Sequence, residues 1–166
     1  MHDAVDEARR DWNRTWADLD VSPADVLARI ERLGHRIEEA QNNALHRRGG
    51  RLLANRGDFD VLRTLRRVGH PYSLTPSEIN AATLVSSAGL SGRLKRLEQE
   101  GWIVREASTT DRRSTLVRLT DEGRRELDEW LPDHFRFEKS LLEPLTDDEH
   151  KVLVSILRKL LVHIEA

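Results

Sequence analysis

The chain has 166 residues, 34% of them charged, and a formal net charge of −2. That length suits one domain, or one domain with helical extensions, and allows a real core. The small net charge excludes a global basic field that would draw the whole protein onto nucleic acid. Cysteine is absent, which excludes disulfides, thiolate zinc sites and a thiol redox switch and agrees with a cytoplasmic location. The first seven residues carry neither the basic nor the apolar region of a secretory signal. The most apolar stretch, 152–164, is interrupted by Ser155, Arg158, Lys159 and His163, so no membrane span is expected.

Residues 3–17 are predicted to form a short helix with Val5, Trp12 and Trp16 on one side and Leu19 at its exit. Two indoles are a large apolar area to leave in water, so this helix is expected to dock on the body. Ser22-Pro23-Ala24-Asp25 reads as a second helix start. The long helix after it carries Val26, Ile30, Leu33, Ile37, Ala40 and Ala44 at helical spacing and ends at Gly49-Gly50. A third helix is predicted from Asp58, a good N-cap, to Val68, with Val61, Leu62, Leu65 and Val68 inward. Asp60 lies in its first turn, off the apolar stripe, where an acid favours the helix dipole and needs no ligand. Gly69-His70-Pro71 breaks this helix.

Thr75-Pro76-Ser77-Glu78 combines a hydroxyl for the N-cap, Pro at the first helical position and Glu at the third. That helix runs only to about Thr83, because another begins near Ser86 and Ser87. In the latter, Leu90, Leu94 and Leu97 form one stripe towards a core. At about 100° per residue, Ala88, Ser91, Gly92, Lys95 and Arg96 fall opposite. Gly101 stops the helix, and 102–106 and 115–119 read as two strands around a polar loop that holds Asp111, Arg112 and Arg113. Helix, turn, basic helix and basic-tipped hairpin read together as a winged helix-turn-helix, whose second helix enters a DNA major groove. Guanidinium groups on the wing suit the negative potential of a narrow minor groove. Charge is placed to match: residues 86–118 hold seven Lys/Arg against four Asp/Glu, whereas 121–149 hold four against eleven.

Thr120-Asp121-Glu122-Gly123 starts the next helix, and Pro132 is expected to kink it or to begin a new one. Thr146-Asp147-Asp148-Glu149 caps the last helix, whose Leu153, Ile156, Leu157, Leu160, Leu161 and Ile164 make a stripe wider than one wing domain can cover. Surplus apolar surface at both ends implies a helical dimer interface. A dimer sets a second reading head about one DNA turn, roughly 34 Å, from the first. The expected fold class is therefore mainly α with a small β-hairpin. N-terminal helices occupy 1–48, a winged helix-turn-helix DNA-binding domain 49–120, and C-terminal dimerisation helices 121–166.

Nothing in the pattern points to catalysis. The seven histidines (2, 35, 46, 70, 134, 150 and 163) are dispersed without metal-ligand spacing. No nucleophile sits in a recognised turn and no Gly-rich phosphate loop occurs. No catalytic residue, metal ligand or cofactor is assigned, although ligands converging only in three dimensions leave a metal-responsive regulator open. The competing class is a winged-helix module that binds protein, which the Arg112-Arg113 pair disfavours.

With these residues placed, the sequence resembles the MarR family of bacterial transcriptional regulators. The resemblance runs through Phe59-Asp60-Val61-Leu62, Pro71-Tyr72-Ser73-Leu74-Thr75-Pro76, Leu84-Val85-Ser86-Ser87, Arg93-Leu94, Arg96-Leu97-Glu98, Gly101-Trp102-Ile103-Val104-Arg105, Asp111-Arg112-Arg113 and Val117-Arg118-Leu119-Thr120. It implies a homodimer built from terminal helices that binds double-stranded DNA at a palindromic operator. It also implies that Arg113, held by Asp111, enters the minor groove, and that Ser86, Ser87, Ser91, Gly92, Lys95 and Arg96 face the major groove and its phosphates.

A narrower resemblance is to the urate-responsive (PecS-like) branch, which carries an extra N-terminal helix with a Trp ahead of an Asp-Leu-Asp stretch. Here these are Trp12 and Asp18-Leu19-Asp20. The branch implies that Trp12, Asp60, Arg93 and Arg105 form a pocket for a small anionic aromatic effector whose binding shifts the recognition helix and releases DNA, as from a repressor. The branch also includes members tuned to effectors other than urate. The residues support this pocket in part. Arg93 lies beside the leucine stripe, from which it reaches back towards the body, and if buried it needs a carboxylate such as Asp60. Arg105 shares a strand face with Ile103. The competing reading puts Arg93 on phosphate and Arg105 in solvent.

Overall fold

The computed structural model describes residues 2–46, 53–83, 85–107 and 115–166, without the side chains of His46 and Ser87. Short capping sequences start most of its helices. Asp3 caps α1 (Ala4–Thr15), accepting from the N–H groups of Val5 and Asp6, and the Asp6 carboxylate accepts from Asp3 N–H in return. Helix α1 lies on α2 (Ala24–His46) through charge: Arg29 donates to Asp3 at 2.8 Å and to Asp6 at 2.7 Å, and Arg9 to Asp25 at 2.9 Å. Val5 is buried there, but Trp12 and Trp16 remain 50% and 58% exposed. The expected docking of both indoles on the body does not occur within one chain. The contact runs along the side carrying Asp3, Asp6 and Arg9, and Trp16 lies past the helix end as its C-cap.

Helix α3 (Arg56–Arg67) starts earlier than the sequence suggests, and Val68, expected inward, is its C-cap and 46% exposed because it lies past the last helical turn that packs on the core. Its cap is Asn55, whose side chain accepts from Asp58 N–H at 3.3 Å, so Asp58 is the third residue of the first turn rather than the cap. Strand β1 (Ser73–Leu74) precedes α4 (Pro76–Ala82), which opens with the expected reciprocal pair of Thr75 and Glu78. Ser86 caps α5 (Ser87–Gln99). At its far end Gly101, at φ 73°, lets Trp102 N–H return to Leu97 O and Gly101 N–H to Glu98 O.

Strands β2 (Ile103–Ala107) and β3 (Thr115–Leu119) pair antiparallel, with Ile103 opposite Leu119. Leu74 of β1 lies opposite Val117 on the other side of β3, giving the order β1-β3-β2. The sheet thus has a strand beyond the expected hairpin, because two residues offer no alternation to read. Helix α6 (Asp121–Leu141) runs through Pro132 as one element, so no new helix begins there. Burial of Leu127 and of Trp130, whose ring meets Trp102 edge-on at 5.4 Å, holds it across the missing N–H. Helix α7 (Asp147–Glu165) starts at the Thr146 cap and buries no residue. No described helix is long and apolar enough to cross a membrane.

The core forms where Phe59, Leu62 and Leu65 of α3 meet Ile79, Leu97 and Trp102. Each such side chain contributes about 1.5–3 kcal/mol when fully buried. The wing tip with Asp111, Arg112 and Arg113, the Gly49-Gly50 helix end and Leu84 lie outside the described residues.

The start of α6 is packed tightly enough to test this arrangement. A Cβ on Gly123 would lie 2.6 Å from Trp102 O and 3.1 Å from Trp102 Cα. We expect Gly123→Ala to cost about 1–3 kcal/mol, as overpacking does elsewhere, measured as a lower urea midpoint. An unchanged midpoint would show that α6 can shift away from β2 freely.

Candidate nucleic-acid interface and the cleft behind it

Leu90, Leu94 and Leu97 of α5 are buried, and the opposite side, carrying Ser86, Ala88, Ser91, Gly92 and Lys95, is exposed. Side chains this small let a helix backbone approach a groove floor closely. Arg96 departs from the expectation that it faces outward. It turns under the helix and donates from Nε to Asp58 Oδ2 at 3.0 Å and from Nη2 to Asp58 Oδ1 at 2.5 Å. The hydrogen bonds it donates to this carboxylate raise the Arg96 guanidinium above even its ordinary range.

Asp58 is the centre of this arrangement. Its side chain is 1% exposed and also receives Arg93 Nη1 at 3.2 Å and Ala54 N–H at 3.1 Å. Arg93 donates to Asn55 Oδ1 as well, while its Nε is buried without a partner among the described residues. The carboxylate expected to meet Arg93 was Asp60. That group instead accepts from Arg63 at 2.8 Å, one turn along its own helix. Position decides the outcome: Asp58 projects from the first turn of α3 against α5, and Asp60 lies about 200° further round.

Asp60 and Arg93 nevertheless line one cleft of about 450 Å³ together with Glu38, Asn55, Val85 and Ser86. That volume is in the range of small-molecule sites. Because Ser86 is the α5 cap, the cleft reaches the first turn of α5. The other two residues of the expected constellation are elsewhere. Trp12 is on the exposed side of α1 and does not line this cleft. Arg105 is exposed rather than inward, pairs with Glu98 at 3.3 Å, and borders a different groove beside Ser77, Asn80 and Ser91. A further cleft of about 470 Å³, lined by Phe59, Trp130, His134 and Phe137, opens between α2, α3 and α6.

Charge at the interface is more selective than the residue count implies. Arg93 and Arg96 are held by Asp58, Arg105 by Glu98, and Arg118 by Glu106 at 2.6 Å. Lys95 is the one basic side chain of this stretch without a carboxylate partner among the described residues. No group of three His, Asp or Glu among the described residues is placed to hold a metal ion.

Sequence reasoning missed Asn55, Gly57 and Asp58 as a unit. Their only signal is the run Asn-Arg-Gly-Asp ahead of Phe59, which also reads as an ordinary helix start. Gly57 matters because a Cβ there would lie 2.5 Å from Arg93 Cζ. On helix propensity alone Gly57→Ala gains about 0.5–1 kcal/mol. We expect a net loss of stability in urea unfolding instead, because the methyl group drives Arg93 off Asp58 and Asn55. A measured gain would show that the guanidinium relocates without cost.

Residues 54–114 match a family profile described as MarR family. PecS, an HTH-type transcriptional regulator of Dickeya dadantii (strain 3937), is 34% identical over 160 residues, which span 96% of this chain and 94% of PecS. Among solved structures, BpsR of Bordetella bronchiseptica is 25% identical with a TM-score of 0.68 over 82% of this chain and 94% of its own. A mutant of E. coli MarR complexed with operator DNA is also 25% identical, with a TM-score of 0.67 over 90% and 97%. Identity sustained along nearly the full length of both chains exceeds what a shared fold requires: the protein belongs to the MarR family, non-enzymatic transcriptional regulators that bind DNA.

Proposed function

We propose that this protein is a dimeric, ligand-responsive repressor that acts in the cytoplasm, binds a palindromic operator and leaves it when a small anionic aromatic molecule such as urate enters the cleft behind α5. One observation carries the reading. Helix α5 presents Ser86, Ser91, Gly92 and Lys95 outward, while its Arg93 lines a cleft with Asp60 on the other side. A ligand in the cleft therefore touches the element that meets DNA. Arg93 Nε has no partner among the described residues, and the carboxylate of Asp60, which accepts from Arg63, lines the same cleft as a candidate acceptor for a ring N–H.

Two relatives support the pieces separately. The MarR mutant was solved on operator DNA, and the DNA binding of BpsR is regulated by 6-hydroxynicotinic acid, a small aromatic acid. The dimer is supported by the apolar side chains left in water: Ile30 and Leu33 on α2, and Leu153, Ile156, Leu157 and Leu161 on α7 are 38–60% exposed. An unpartnered stripe of that extent fits a second copy, which would also cover Trp12 and Trp16. In the complex, Ser86, Ser87, Ser91, Gly92 and Lys95 meet the major groove, and Arg112 and Arg113 with Asp111 form the wing contact. The aromatic lining of the second cleft favours one alternative seat for the effector, between α2, α3 and α6.

The test is titration of the protein into duplex DNA from upstream of its own coding sequence at several salt concentrations. We expect a specific, salt-sensitive shift; a salt slope near zero removes the proposal. Lys95→Ala lowers that slope by about 0.9, the share of one phosphate contact. Arg113→Ala weakens the complex by about 1–3 kcal/mol, as the loss of one specific contact does. For the effector, calorimetry with urate gives heat and DNA release in the native protein, and Asp60→Asn or Arg93→Ala blunts both. Loss of the heat in Phe137→Ala with Arg93→Ala unaffected would move the ligand to the aromatic cleft.

A further inference from the structure

We propose that Asp58 is a positioning residue for the DNA-binding helix: it withholds Arg96 from the nucleic acid and sets the rotation at which α5 presents Lys95. The inference rests on the DNA-facing assignment of α5 given above. The buried side chain is the short, stiff partner, at 1% exposure, whereas Arg93 and Arg96 are long and 25% and 36% exposed. The carboxylate is the fixed post and the two guanidinium groups are tied to it.

Arg96 is held through two parallel bonds, from Nε to one oxygen and Nη2 to the other. Such a fork defines a plane as well as a distance. Arg96 follows Lys95 directly and stands one turn after Gly92, so the plane of that fork sets the angle of the outward side. Arg93, one turn earlier, reaches the same carboxylate, so α5 is tied at two points along its length. Two points define orientation where one would leave a pivot.

The charges in this group do not cancel. One carboxylate faces two guanidinium groups, leaving a formal surplus of one positive charge beside the recognition face. Within the described residues, that surplus has no second carboxylate within ion-pair distance of Arg93 or Arg96. Neutralising Asp58 with retention of its shape, Asp58→Asn, weakens both ties and makes Arg96 available to a phosphate. A carboxylate that served stability alone would lower the amount of folded protein and leave the mode of DNA binding as it was.

Salt dependence on a non-specific duplex separates these cases, because it counts phosphate contacts rather than active molecules. For Asp58→Asn we expect the slope of log K against log salt to steepen by about 0.9, one added contact. Preference for the upstream duplex over the non-specific one should fall about tenfold, since orientation is lost. Arg96→Gln should leave the wild-type slope in place, because Arg96 is not on phosphate. This second variant keeps the test decisive if Asp58→Asn does not fold. A slope that drops by about 0.9 in Arg96→Gln, or stays unchanged in Asp58→Asn, overturns the proposal. Wild-type protein without any salt-sensitive binding would remove the DNA-facing assignment as well, whereas wild-type binding with an unaltered Asp58→Asn slope removes this proposal alone.

Discussion

Burial of Leu90, Leu94 and Leu97 in the core shared with α3, α4 and the sheet is the contact on which the rest of the molecule depends. A thirteen-residue helix is marginal by itself in water. Three buried leucines, at about 1.5–3 kcal/mol each, hold this one in place and determine which side remains outside. That outer side, with Ser91, Gly92 and Lys95, is small, polar and exposed. The same contact brings α5 close enough to α3 for arginines on its shoulder to reach the first turn of α3.

Electrostatics then refines what packing has begun. A buried carboxylate without partners costs several kcal/mol, so Asp58 exists at that depth only because Arg93, Arg96 and Ala54 N–H meet it. The arginines in turn lose freedom to act elsewhere. Four of the positive charges around α5 and the sheet are thus committed to carboxylates of the protein itself, and among the described residues Lys95 is left unpaired between small side chains. A protein built this way avoids indiscriminate attraction to polyanions while keeping local attraction where the shape fits.

The terminal helices obey a different constraint. Helix α7 buries nothing in one chain, yet its apolar stripe is long and continuous. The acidic residues of α1 hold that helix on α2 by ion pairs that are individually weak at such exposure. Their arrangement leaves both indoles of the N-terminal segment exposed. The apolar surface of this protein is therefore divided in two: a closed core under the sheet, and an open face along the terminal helices.

How much of this was legible in the sequence depends on the range of the interaction involved. Local chemistry was readable: the Thr75-Glu78 and Thr146-Glu149 capping pairs, the Gly101 stop and the leucine period of α5 are all set by neighbours within a turn. The family resemblance was readable for the same reason, since its motifs are runs of adjacent residues. Whether Asp58 or Asp60 meets Arg93 was not, because both lie in the first turns of α3 and only the crossing of α3 and α5 distinguishes them. The turning-under of Arg96, the separation of Trp12 and Arg105 from the cleft, and the short β1 strand are likewise products of packing between distant segments. Sequence alone determined which elements form and which side of each is apolar. The tertiary structure decided which charges pair and which remain free, because a long side chain reaches several carboxylates and only the assembled geometry selects among them.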